Sequence, residues 1–168
     1  VWNINHKGSL EKKRHFIQWG NSIERTSISD KIQQWQYQDS AGYSLPYNSP
    51  NLALYNAQYG KNELTIEKYS GYLQDNIRLS KNKSDITLHA GVRYNYNSLN
   101  KEFLISPRLQ LSWKPAWKRD IVFKAAAGIY DQPPFYRELR RYDGTVNTAI
   151  KSQKSTQFVA GMDYNFKG

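Results

Sequence analysis

The chain has no cysteine and a single methionine, Met162. Without cysteine there is no disulfide framework and no thiolate metal site. No stretch approaches the roughly 18 apolar residues that a membrane-spanning helix needs, and the mean hydropathy is −0.80. The opening residues, VWNINHKGSLEKKRHF, hold neither an initiator Met nor the apolar segment of a secretion signal. The chain is therefore expected to be a mature or internal piece of a longer protein. Helical periodicity is weak throughout. Also missing are G-x-S-x-G, H-E-x-x-H and phosphate-cradling glycine patterns. His6, His15 and His89 stand far apart and lack the carboxylate spacing of a metal motif. Asp39, Asp75 and Asp163 read as polar groups on strands rather than as a catalytic set. No catalytic residue, metal site or cofactor is expected, and the chain does not read as an enzyme.

What the sequence does have is aromatic side chains, 14% of residues with 13 tyrosines, and a formal net charge of +10. A basic surplus suits polyanionic partners, but here the lysines and arginines are scattered along the whole chain.

The informative feature is a period of two. In SDITLHAGVRYNYN (84–97), Ile86, Leu88, Ala90, Val92, Tyr94 and Tyr96 oppose Thr87, His89, Gly91, Arg93 and Asn95. That is a strand with one apolar and one polar face. The pattern returns at 103–113, 120–130 and 155–166. Residues 15–25, 31–39 and 63–79 are strand-like but less regular, and a break near Gln74 and Asp75 reads as a bulge. About seven strands are expected.

The connections alternate in length. Turns at 26–30, 80–83 and 114–119 are short, loops at 40–62 and 131–154 are long, and 98–102 is intermediate. In an up-and-down antiparallel sheet the short turns then share one edge and the long loops the other, the layout of an outer-membrane β-barrel. Aromatics gather at strand ends, with Tyr94, Tyr96 and Tyr130 at the outer rim and Trp113, Trp117, Tyr164 and Phe166 at the inner rim. These seven read as membrane-interface residues flanking an apolar band. Arg93, Arg108, Gln110, Lys124 and Asp163 share the other face, which a wet lumen can hold. The fold class is all-β: antiparallel strands forming part of a transmembrane barrel, with residues 1–168 as one partial domain. A soluble basic β-domain binding single-stranded nucleic acid or another polyanion is the alternative.

Several phrases resemble the barrel of TonB-dependent outer-membrane receptors. These are Gly91, Arg93, Tyr94 and Asn95 on one strand, Ser106-Pro107-Arg108 on the next, and Pro115 in the following turn. A strand of small residues then ends with Gly128, Tyr130, Pro133 and Pro134, and YSGYLQDNIRL (69–79) is similar to another family strand. The resemblance covers roughly residues 11 to 168. It implies a bacterial outer-membrane receptor that binds a scarce nutrient at the cell surface and imports it. It also implies outer-membrane lipid, the rest of a barrel of about 22 strands and a plug domain as partners. Contact with the TonB complex would run through an N-terminal part missing here, and nucleic acid is not an expected partner. The nutrient stays open among siderophore, cobalamin, glycan and peptide. Recognition is expected in the outer loops, where Tyr43, Tyr47, Tyr55, Phe135, Tyr136, Arg137, Arg140 and Tyr142 offer stacking surface and forked donors. Packing between loops, or contact with lipopolysaccharide phosphates, would suit the same residue types.

Overall fold

The computed structural model describes residues 1–38, 53–80 and 83–166. Alternation of side chains, with no competing helical face, yields one sheet of seven strands paired antiparallel in chain order. They are β1 (Trp2–Lys12), β2 (His15–Gln38), β3 (Ala53–Arg78), β4 (Asp85–Asn97), β5 (Glu102–Lys114), β6 (Ile121–Gln132) and β7 (Gln153–Tyr164). A helical turn, α1 (Tyr136–Leu139), sits in the β6–β7 connection. β1 and β7 are the sheet's two edges and do not pair with each other. Seven strands with two unpaired edges form an open sheet, as expected for part of a barrel wall.

Register sorts every wall side chain to one of two faces. Ile86, Leu88, Ala90 and Tyr96 stand opposite Trp113, Leu111, Leu109 and Phe103. The same face continues through Phe123, Ala125 and Ala127 to Met162, Ala160 and Phe158. Phe103 and Trp113 are ten residues apart on β5. At about 3.4 Å per residue and a tilt of about 45°, that spans about 24 Å along the membrane normal, against about 25 Å for a barrel's apolar band. Aromatic contacts mark both limits. Tyr69–Tyr96 and Tyr94–Phe103 lie at 6.1 Å on the outer side. Trp113, Trp117 and Phe123 form a triangle with sides of 5.6 to 6.3 Å on the inner side, and Tyr164 meets Phe166 at 4.2 Å.

The opposite face carries Gln18, Gln74, His89, Arg93, Arg108, Gln110, Lys124 and Asp163 and is the luminal one. Lys124 pairs with Asp163 there. Tyr130 belongs to this face, which corrects the expectation of a membrane-interface role. It is two residues from Gly128, the partner of Arg108, and the Arg108 guanidinium lies 4.4 Å over its ring. Strand parity decides the matter: a rim position cannot move a side chain to the other face. The β5–β6 ladder ends at that same Arg108–Gly128 pair. The next residue, Pro107, has no N–H to donate, and Ser106 instead donates its hydroxyl to Asp131 at 3.0 Å.

The N-terminal third departs from expectation in three ways. Residues 2–12 form a strand, β1, closed onto β2 by the two-residue turn Lys13-Arg14, with Lys13 at φ 55°. Residues 26–30 are not a turn: Thr26 to Asp30 pair without interruption with Ile66 to Asn62. The long loop expected from residue 40 gives way to strand by Ala53. No irregularity occurs at Gln74 or Asp75; the register shift lies at Gln36/Tyr37, opposite Tyr55. Asp75 therefore continues the outward set, where His15 meets it at 2.6 Å. Asn21, also outward, accepts from the Tyr94 hydroxyl at 2.8 Å. Both contacts pair outward polar side chains with each other, although the second carboxylate oxygen of Asp75 is buried without a partner among the described residues.

Candidate ligand vestibule

β2 and β3 continue past the outer aromatic girdle. The β4–β5 hairpin stops at Asn97, opposite Lys68. The β2–β3 ladder carries on from Thr26 to Gln38 and from Ala53 to Ile66, about 40 Å of further strand.

Along this projection the two faces exchange character. Below it, odd-numbered residues of β2 and β3 (Ile17, Trp19, Ile23, Leu73, Ile77) form the lipid face. Just above it, odd positions become Ser27, Ser29, Lys31, Lys61, Glu63 and Thr65, and the even positions Ile28, Ile32, Leu64 and Ile66 turn apolar; farther out Trp35, Tyr37, Ala57 and Tyr59 stand at odd positions and Gln34, Gln36, Asn56 and Gln58 at even ones. The backbone runs straight through; only the surroundings change. The outward set is apolar below this level and polar just above it, and the inward side has gained a cover.

That cover is the β6–β7 connection, residues 133–152. It leaves β6 at Pro133-Pro134 and forms α1. Ser152 on its return donates from its backbone N–H at 2.9 Å and from its hydroxyl at 2.5 Å to Glu102, on the β5 rim. Its middle is clasped to the projecting hairpin. The Tyr136 hydroxyl and Arg140 Nη1 both donate to Asp30 Oδ2, at 3.0 and 3.3 Å. Asn62 donates to the Gly144 carbonyl at 2.8 Å. Gly144 has φ +83°, and a Cβ there would lie 3.2 Å from the Gly60 Cα, so the two backbones touch at paired glycines. Asp143 accepts from the Thr145 hydroxyl at 2.6 Å and its N–H at 2.9 Å, which holds its carboxyl below the usual carboxylate range. Leu139, 1% exposed, and Ile66, 5% exposed, are the buried apolar side chains of this unit.

Burial, then the hydrogen bond to Asp30 and that carboxylate's charge, push the Tyr136 phenol above its ordinary value. The folded clasp therefore favours the neutral phenol. Its contribution is complete below the ordinary tyrosine pKa of about 10 and is lost as pH rises through the higher folded value. A nitroxide attached at position 135 (Phe135→Cys) should become more mobile above about pH 10. The step should vanish when Tyr136→Phe is added, because nothing then ionises.

The residues expected to contact ligand separate into groups. Tyr43 and Tyr47 lie outside the described residues. Tyr136 and Arg140 serve the clasp. Tyr55 is at the β3 bulge, on a strand and not in a loop. Phe135 and Arg137 are exposed on the β6–β7 connection, the strap over the hairpin. Tyr142 is 79% exposed and accepts from Asn56 Nδ2 at 3.2 Å. With Gln34, Gln36, Asn56 and Gln58 it lines a hollow on the inward side of the hairpin. These amides were not singled out from sequence, although Gln34 and Gln36 already alternate with Trp35 and Tyr37. The hollow offers amide donors and acceptors with two aromatic surfaces, Trp35 and Tyr142, and no charged side chain, a set for holding a polar ligand by hydrogen bonds. Among the described residues no three His, Asp or Glu come together to hold a metal.

Comparison with known families gives one match: the sequence profile described as "TonB dependent receptor-like, beta-barrel" aligns with residues 2–168. No curated protein and no solved structure matches the chain.

Proposed function

The chain belongs to the TonB-dependent receptor β-barrel family, whose members are outer-membrane transporters of Gram-negative bacteria, and from that premise we propose that it forms part of the wall and vestibule of an active-uptake receptor. In this reading the outward face meets outer-membrane lipid. The hairpin and strap rise above it, and a scarce nutrient is held against Gln34, Gln36, Asn56, Gln58 and Tyr142 before import. The plug and the TonB complex complete the machine. The exchange of polarity along β2 and β3 carries the reading, because it gives one continuous strand a lipid-facing part and a water-facing part.

A soluble nucleic-acid-binding domain fits less well. Such a surface needs aromatics and cations on the same face. Here Trp19, Trp113 and Phe158 lie on one face and Arg93, Arg108 and Lys124 on the other, where Tyr72 and Tyr130 are the aromatics beside them. Several luminal cations are also paired with acids, Lys68 with Glu24 and Lys124 with Asp163.

Whole-cell uptake by the intact receptor tests the proposal, with labelled siderophore, cobalamin, oligosaccharide and peptide supplied in turn. One of them should accumulate only when receptor and TonB are both present. Tyr142→Ala should weaken its binding about tenfold, the scale of a lost aromatic contact. Uptake that ignores TonB, or binding unmoved by Tyr142→Ala, would defeat the assignment.

A further inference from the structure

One row of residues crosses the luminal face at mid-wall. Lys7 stands opposite Gly20, Gly20 opposite Tyr72, and Tyr72 opposite Arg93. Gly20 has no side chain, and the Tyr72 ring lies across the vacated place. A Cβ on Gly20 would come within 2.5 Å of Tyr72 Cε1 and 3.2 Å of its hydroxyl oxygen. The ring thus forms a floor between two cations. The hollow above it holds about 170 Å3 and is rimmed by Asn5, Ser22, Ser70 and Asn95.

No carboxylate lines this hollow. Among the described residues, no ion pair within 4.0 Å includes Lys7 or Arg93. Other luminal cations are treated differently: Lys68, Lys114 and Lys124 have acids, and Arg108 has Tyr130. Two unpaired cations on one hollow repel each other, and an anion between them converts that repulsion into attraction. The forked guanidinium of Arg93 matches a carboxylate in particular. Hydroxyl and amide donors around the rim can satisfy its remaining lone pairs. The volume suits a single carboxylate-bearing side chain or small acid.

Taking the family assignment as its premise, we infer that Lys7, Tyr72 and Arg93 form a luminal carboxylate-binding site. The carboxylate comes either from the segment that fills the lumen of the same receptor or from a solute passing through it.

The test uses the intact receptor in detergent, comparing wild type with the Lys7→Gln/Arg93→Gln double variant and the charge-keeping Lys7→Arg/Arg93→Lys pair. Heat-modifiable migration first establishes that each is a folded barrel. A wild-type protein that is not one would remove the family premise and the site together. If the plug supplies the carboxylate, the double variant should expose the plug to protease at a lower urea concentration, while the Arg/Lys pair stays near wild type. If a solute supplies it, citrate should bind wild type in calorimetry and bind the double variant at least about tenfold more weakly, the scale of a lost charge-assisted pair, with plug protection unchanged. Folded barrels in which neither plug protection nor citrate binding differs between wild type and double variant would overturn the site and leave the family assignment standing.

Discussion

Leu109→Arg should destabilise the membrane-inserted receptor by about 2–4 kcal/mol, while Gln110→Arg, one residue along the same strand, should cost no more than about 1 kcal/mol. Leu109 stands between Ala90 and Ala127 and helps to line a shallow outward groove with Leu111, Ala125, Phe158 and Ala160. Nothing in that groove can hydrogen-bond a guanidinium, and hydrocarbon offers no water. Gln110 faces the other way, beside His89 and Ala126. It lies over a hollow with Gln18, Gln74 and Arg108, where an added cation stays hydrated. Equilibrium denaturant unfolding in lipid vesicles, followed by tryptophan fluorescence, measures both. Equal costs at the two positions would mean that the faces do not meet different media.

The second large effect concerns the strap. Leu139→Ala removes the side chain buried most completely in the described chain and should cost about 3 kcal/mol, as buried leucine truncations do. Because each 1.4 kcal/mol is tenfold, strap opening should rise roughly a hundredfold. Hydrogen exchange would show it at the Asn147 amide, which donates to the Leu139 carbonyl at 2.7 Å, and at the Arg141 amide, which donates to the Thr145 carbonyl at 2.8 Å. Asp30→Ala deprives Tyr136 and Arg140 of a shared acceptor and should cost about 1–3 kcal/mol. The two substitutions release the same clasp, so the double variant should open little more than Leu139→Ala alone. Amides of β5 and β6 should not change. Additive costs, or faster exchange spread through the wall, would contradict an independently opening strap.

The wall was legible in the sequence because its physics is local. From β4 onward each strand alternates against a constant pair of media, so Ile86 to Tyr96 or Phe158 to Phe166 disclose their face directly. The register then follows from tight connections such as residues 98–101. Legibility failed where the medium changes within one strand. Ile23 and Ile28 fall on opposite faces, and their odd spacing reads as a chain reversal at 26–30. The chain does not turn there; hydrocarbon ends on one side and the strap begins on the other. β1 went unread for another reason. Trp2, Ile4 and Leu10 alternate with Asn3, Asn5 and Ser9, but the turn that pairs them with β2 is Lys13-Arg14, which lacks the Gly or Asn that marks most tight hairpins. In the outer loops, residue type pointed toward recognition for Tyr136 and Arg140. Only the fold brings them to Asp30, more than a hundred residues away in the chain, and leaves Tyr142 beside the amides of the hairpin.

The central claim is that β2 is one strand passing from lipid to water. The absence of cysteine from the chain lets single cysteines introduced from Ile17 to Gln33 carry nitroxide labels whose collisions with oxygen and with a water-soluble nickel chelate report the local medium. In the intact receptor, positions 17, 19 and 23 should favour oxygen and positions 27, 29 and 31 the chelate, while 28 and 32 stay shielded from both beneath the strap. Access to the chelate at 17, 19 and 23, or mobile labels open to both reagents throughout 26–30, would contradict the account.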